Sequence, residues 1–247
     1  MKKYKTLIIG SSFSSIGYAV SKKDTLIVEQ TEMLDTLFYL PMRGFSYCAY
    51  SAKTDAGAEL ESIFRERGII SGEGQNVNAF EIGLCHFVKN HSVSIYLKCR
   101  VVESKWDNGC YSVTLLHNGG IEIISAEKII DTRPKEGLER RLAVIFDCPS
   151  KDFSQDEIKA VFTNSEVITA FYKNRYVLYA KTSSDDINDS KCEIYKHWKK
   201  LNGYRILYIA PTFYYPDAEF PILCDGRFEN PIEAFEDGIR LAEEENI

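Results

Sequence analysis

An apolar run, L-I-I within K-T-L-I-I-G from Lys5 to Gly10, is followed by a turn and then by a second run, T-L-I-V-E from Thr25 to Glu29. Short apolar runs without polar alternation predict strands buried on both faces, as in a parallel sheet. The intervening Ser12 to Ser21 predicts a helix. Beyond an irregular stretch to about Lys53, the segment Thr54 to Arg67 sets Leu60, Ile63, Phe64 and Arg67 at helical spacing and stops at Gly68. Asn78 to Asn90 predicts another helix, opened by an Asn78/Glu81 capping pair.

The period then changes from helix to strand. Ser92 to Leu97 and Val101 to Trp106 are β-prone, and Asp107 to Gly109 turns into a strand from Cys110 to His117. Asn118 to Gly120 turns again into Ile121 to Ser125, and Lys128 to Asp131 reads as a separate short buried strand. The order is a parallel strand, an antiparallel meander and a return to the main sheet. From Leu138 the pattern is α+β. Leu142 to Phe146 is a strand, Ser154 and Glu157 cap a helix to Phe162, and Val167 to Tyr172 pairs with Tyr176 to Lys181 about Asn174. Asp186 to Leu201 predicts a helix, Tyr204 to Ala210 a strand, and Pro221 to Cys224 a further short strand. The closing helix has the best-specified start: Asn230 as cap, Pro231 in the first turn, Glu233 at the third position. Ile232, Phe235, Ile239 and Ala242 form its apolar stripe. Gly238 lies inside it, costing about 1 kcal/mol against alanine, so another backbone or a ligand is expected to pack there.

The opening strand, turn, helix and strand, with Glu29 nineteen positions after Gly10, have the layout of a dinucleotide-binding βαβ unit. A tight turn aims helix N-terminal N–H groups at a pyrophosphate, and a carboxylate ending the second strand accepts from a ribose. In place of G-x-G-x-x-G stand Gly10, Ser11, Ser12, Phe13, Ser14 and Ser15, so only the first glycine is kept. Serine at the second position adds a Cβ where phosphate approaches, with a hydroxyl that could donate to it. The same pattern also suits a purely structural strand and serine-capped helix, with Gly10 as the turn residue.

Charge narrows the partners. The 247 residues carry a net charge of −6, and no basic block is present, which argues against nucleic acid or an anionic membrane as the main partner. Seven scattered cysteines without C-x-x-C encode no local zinc knuckle or redox dithiol and suggest free thiols in a reducing cytoplasm. The four histidines lack metal-ligand spacing, no G-x-S-x-G elbow or P-loop is present, and no apolar run reaches a membrane span. A soluble cytoplasmic protein acting on a small molecule is expected; nothing in the pattern sets its oligomeric state or names a catalytic residue.

Taken together, the βαβ unit, the meander returning as A-E-K-I-I-D-T-R, and I-L-C-D-G before N-P-I-E-A-F-E-D-G-I-R-L-A resemble the FAD-dependent oxidoreductases of the glutathione-reductase-like fold. The resemblance implies an α/β architecture: a Rossmann-like three-layer FAD/NAD(P)-binding domain with β-meander, formed by residues 1–137 and 217–247, and an inserted α+β substrate or cap region at 138–216. It implies FAD as cofactor, with Gly10, Ser11, Ser12, Phe13, Ser14 and Ser15 at the pyrophosphate turn and Glu29, beside Gln30, at the adenosine ribose. Val101 would meet the adenine through its backbone, Thr132 and Arg133 stand at the D-A-T-G position, and Asp225 would reach the ribityl chain. Ile232 stands where the last helix points at the flavin. Arg43 and the run Phe213, Tyr214 and Tyr215 are positioned by their loops near a flavin face or substrate. Arg133 and Cys224 replace family glycines, and D-T-R-P is similar to the strand end of flavin-dependent lycopene cyclases. The function implied is hydride transfer between flavin and a small organic substrate. Two alternatives stand beside it: a catalytically silent nucleotide-binding or interaction protein retaining the fold, and an NAD-binding protein.

Overall fold

The structure is a computed structural model that describes residues 1–35, 38, 50–72, 74–133, 139–149, 152–169, 174–216 and 221–245. Its main sheet has β1 (Lys2–Ile9) at the centre, parallel to β2 (Thr25–Val28) on one side and to the end of β8 (Gly120–Asp131) on the other. A short hairpin of β3 (Ile70–Ser71) and β4 (Gly74–Gln75) lies apart. The sheet order is β5-β2-β1-β8-β7-β6, with β5 (Ser94–Tyr96) parallel to β2, and β6 (Arg100–Asp107) and β7 (Cys110–His117) forming the meander with β8. The expected break between Ser125 and Lys128 does not occur. β8 is one twelve-residue strand, because its first half bonds antiparallel to β7 and its second half parallel to β1, so a backbone partner is present along its whole length.

Alternation on the central strands sets the layers. Leu7, Leu26 and Val28 face a buried cluster with Val113, Leu115, Ile124 and Ala126 of the meander. Ile8 and Ile27 face the opposite way, into a larger core shared with the helices. These are α1 (Phe13–Ser21), α2 (Asp55–Glu66), α3 (Phe80–Asn90) and the last helix, α6 (Pro231–Glu244). Phe13 meets Phe38, Phe64 and Phe80 edge-on at 5.7–5.9 Å, so the first residue of α1 is an aromatic anchor of this core. The start of α3 departs from expectation. Asn78 lies in a 3-10 turn, Val77–Ala79, and the N-cap is Ala79 with no side-chain bond.

A second, four-stranded sheet has the order β10-β11-β9-β12, built from β9 (Arg141–Asp147), β10 (Glu166–Thr169), β11 (Arg175–Lys181) and β12 (Arg205–Ile209). Helices α4 (Gln155–Val161) and α5 (Ile187–Trp198) accompany it, and Leu142, Val144, Phe146, Val177 and Trp198 join the same core as α1 and α6. Pro221 to Cys224 forms no strand; it is a turn leading into a 3-10 turn at Asp225–Arg227. Among the described residues no helix is long and apolar enough to cross a membrane.

Candidate functional site

The carboxyl ends of β1, β2 and β8 meet at one edge of the sheet, and a cavity of about 590 Å³ opens there. Its wall comprises Gly10 and Ser11 after β1, Glu29 and Gln30 after β2, Arg100 and Val101 at the start of β6, and Thr132 and Arg133 after β8. Strands running parallel from this edge leave such a crevice where the chain order reverses, and β1 lies between β2 and β8. Gly10 is required twice over: its φ is +103°, and an added Cβ would collide with Thr132 Oγ1. Thr132 closes the turn by donating its hydroxyl to Ile9 O at 3.0 Å and its N–H to the same oxygen at 3.0 Å.

Glu29 is buried with its carboxylate held in place. Oε2 accepts from Ser11 N at 2.8 Å and Ser11 Oγ at 3.0 Å, while Oε1 accepts from Thr31 N at 2.8 Å. With one donor on Oε1 among the described residues, that oxygen keeps acceptor capacity. Arg133 projects beside the cavity, its guanidinium on Asp131 at 2.8 and 2.5 Å. These bonds raise the arginine above its ordinary value, and they hold the Asp131 carboxyl below its own against the upward push of burial. Cys99, also in the wall, has its thiol pushed up to about 11 by burial, with Glu122 adding to the effect.

The start of α1 is built differently from a G-x-G-x-x-G turn. Ser12 is its N-cap and forms a reciprocal capping box with Ser15: Ser15 N donates to Ser12 Oγ at 3.0 Å, and Ser12 N donates to Ser15 Oγ at 2.7 Å. The next two N–H groups belong to a carboxylate from the other end of the chain. Phe13 N donates to Asp225 Oδ2 at 2.5 Å, and Ser14 N and Ser14 Oγ donate to Asp225 Oδ1 at 2.9 and 2.6 Å. Ser12 Oγ also donates to Leu223 O at 2.7 Å, and Leu223 holds a left-handed φ of +62°, uncommon for a branched side chain. Of the two serines that replace fingerprint glycines, Ser12 therefore binds the loop that carries Asp225 and Ser15 closes the capping box, while Phe13 and Ser14, at variable positions of the fingerprint, bind Asp225 itself. Ser12, Phe13, Ser14, Ser15 and Asp225 are all 0% exposed.

Of the sequence-derived candidates, Gly10, Ser11, Glu29, Gln30, Val101, Thr132 and Arg133 share one cavity. Ser12 to Ser15 and Asp225 form the closed network beside it. Ile232 is buried at the start of α6, its N–H donating to Asn230 Oδ1 at 2.8 Å. Arg43 lies outside the described residues. Tyr214 exchanges both backbone bonds with Arg141 and packs on Tyr179, so it anchors the edge of the second sheet. Gly238 is explained by backbone: a Cβ there would strike Ser14 O, as one at Gly17 would strike Phe235 O, so α1 and α6 touch main chain to main chain. Sequence reasoning missed Thr31, Cys99 and Arg100. Thr31 follows Glu29 closely enough to have suggested a local cap, whereas Cys99 and Arg100 reach the site only through pairing of β5 with β2. Among the described residues no cluster of three or more His, Cys, Asp or Glu could hold a metal.

Against the demands of FAD, the adenosine half fits: an open cavity with a fixed carboxylate and Val101 in its wall. The pyrophosphate seat at α1 fits only with Asp225 moved aside, since the N–H groups there already have acceptors.

No protein-family model and no curated protein matches the chain. Solved structures do share its fold. The p-nitrophenol 4-monooxygenase of Pseudomonas putida DLL-E4 is 11% identical, with a TM-score of 0.54 over 98% of this chain and 78% of that one. BexE, studied for oxidation during BE-7585A biosynthesis, is 10% identical, with a TM-score of 0.60 over 97% of this chain and 60% of its own. Aklavinone-11 hydroxylase, solved with FAD and aklavinone, is 12% identical, with a TM-score of 0.55 over 98% and 62%. The chain thus has the fold of FAD-dependent oxidoreductases and spans about three-fifths of the length of the last two.

Proposed function

We propose that this chain binds FAD, with the adenosine half in the cavity at the ends of β1, β2 and β8, and serves a flavin-dependent oxidoreductase-like reaction on a small organic substrate. The observation that carries this reading is the position of Glu29: its carboxylate is preset by Ser11 and Thr31 at the wall of a cavity of about 590 Å³. A ribose hydroxyl donating to Glu29 Oε1 would meet an acceptor whose geometry is fixed before binding, which lowers the cost of ordering. Val101 would present backbone to the adenine. Flavin, when bound, supplies acceptance and donation of a hydride. The chain's part is to hold the cofactor and shield it from water, and the region 138–216, with the second sheet, would contribute the substrate side.

Glu29→Ala is expected to weaken FAD affinity by at least about tenfold, equivalent to about 1.4 kcal/mol. Calorimetry or flavin fluorescence quenching measures it, and unchanged affinity would remove the ribose assignment.

The second reading, a nucleotide-binding protein that retains the fold without flavin, draws on one observation, the Asp225 carboxylate at α1. It predicts a colourless protein that takes up no FAD. An NAD-binding protein would use the same Glu29 cavity.

A further inference from the structure

The N-terminus of α1 is a ready-made seat for an anion, because four N–H groups there lack intrahelical partners. In this chain all four are satisfied from within: Ser12 N by Ser15 Oγ, Ser15 N by Ser12 Oγ, and Phe13 N and Ser14 N by the two oxygens of Asp225. Ser14 Oγ adds a third donor to the same carboxylate. The cavity wall includes Gly10 and Ser11 but none of Ser12 to Ser15, so open space ends where this network begins. A carboxylate bound by two adjacent backbone N–H groups and a hydroxyl is chemically a stand-in for phosphate. The loop that delivers it is itself fixed, by the Ser12 bond to Leu223 O and the left-handed Leu223 backbone.

We propose that Asp225 is an internal competitor for the diphosphate of an adenine nucleotide. The cavity accepts the adenosine end, and a second phosphate is excluded from α1 until Asp225 withdraws. Full FAD uptake is therefore gated by displacement of one side chain. This rests on the reading that the cavity takes an adenine nucleotide.

Titration calorimetry with AMP, ADP and FAD, on the full chain and on Asp225→Asn and Asp225→Ser, tests it. In the unaltered chain AMP and ADP are expected to bind within about threefold of each other, because the second phosphate finds no free donors. In the variants AMP affinity is expected to stay constant, while ADP tightens by at least about tenfold; FAD, whose ribityl chain Asp225 would reach once withdrawn, is the comparison and not the readout. An ADP preference of about tenfold or more in the unaltered chain overturns the proposal, as do variants whose ADP affinity stays level or falls. Should both variants fail to fold, as judged by circular dichroism, the AMP-to-ADP ratio of the unaltered chain decides alone. Failure of the underlying reading has a different signature: AMP does not bind even the unaltered chain, and the gating proposal falls with it. AMP binding without any effect of Asp225 sinks the gating alone.

Discussion

Ser14, at a variable position of the G-x-G-x-x-G pattern, shows how the serine-rich turn is used. Its hydroxyl and N–H both donate to a fully buried carboxylate, and bonds to a charged acceptor contribute about 1.5–3 kcal/mol each. Ser14→Ala should therefore lower stability by about 2 kcal/mol, read as a shift in the urea midpoint at unchanged slope; a loss within about 0.5 kcal/mol would show that the carboxylate does not need the hydroxyl. Gly10→Ala should cost more, about 3 kcal/mol, since it adds a strained φ of +103° to a collision with Thr132. The turn glycine was legible in the sequence because its need is local. Asp225 was legible as a site residue from its place before the last helix. Its partners at Phe13 and Ser14 were not, because a contact across more than 200 residues leaves no local trace.

At the scale of elements, the paired strands and the amphipathic helices follow from period and caps. Asn230 does accept from the N–H groups of Ile232 and Glu233, and Ile232, Phe235, Ile239 and Ala242 are buried. β8 was misread as two strands because Ser125 and Ala126 break the aliphatic run, yet both are buried where β7 and β1 overlap along it. The helix expected from Asn78 starts at Phe80 because the chain first makes a 3-10 turn. Another tertiary contact invisible in the sequence is Glu236, which accepts from Tyr50 Oη at 2.5 Å, from the N–H groups of Lys53 and Thr54 at 2.6 Å, and from Thr54 Oγ1 at 2.9 Å. Burial pushes the Glu236 carboxyl up, but these bonds outweigh it and leave the group below its ordinary 4.5. A depressed carboxyl contributes stability above its unfolded value and loses it as the pH falls through the folded one. Glu236→Gln should then cost about 2 kcal/mol at pH 7, and the gap should narrow below about pH 4. Urea midpoints at both pH values check it; a gap that stays constant through acid would refute the assignment.

Across the described residues, the segment 223–245 closes onto 12–18 and 50–54. Asp225 caps α1, Glu236 gathers the approach to α2, and α6 lies against α1 at Gly17 and Gly238. The same closure that secures the fold occupies the N–H groups at the start of α1 beside an open cavity, and on the proposed reading this would link cofactor binding to the internal cap. The measurement closest to the central claim is the visible absorption spectrum of the purified chain before and after incubation with FAD and desalting. Retained bands near about 370 and 450 nm, a property of oxidised flavin itself, are the predicted result, abolished or strongly reduced in Glu29→Ala. A chain that stays colourless at every FAD concentration, with no change in its spectrum or in flavin fluorescence, would contradict the account and leave the flavin-free reading in its place.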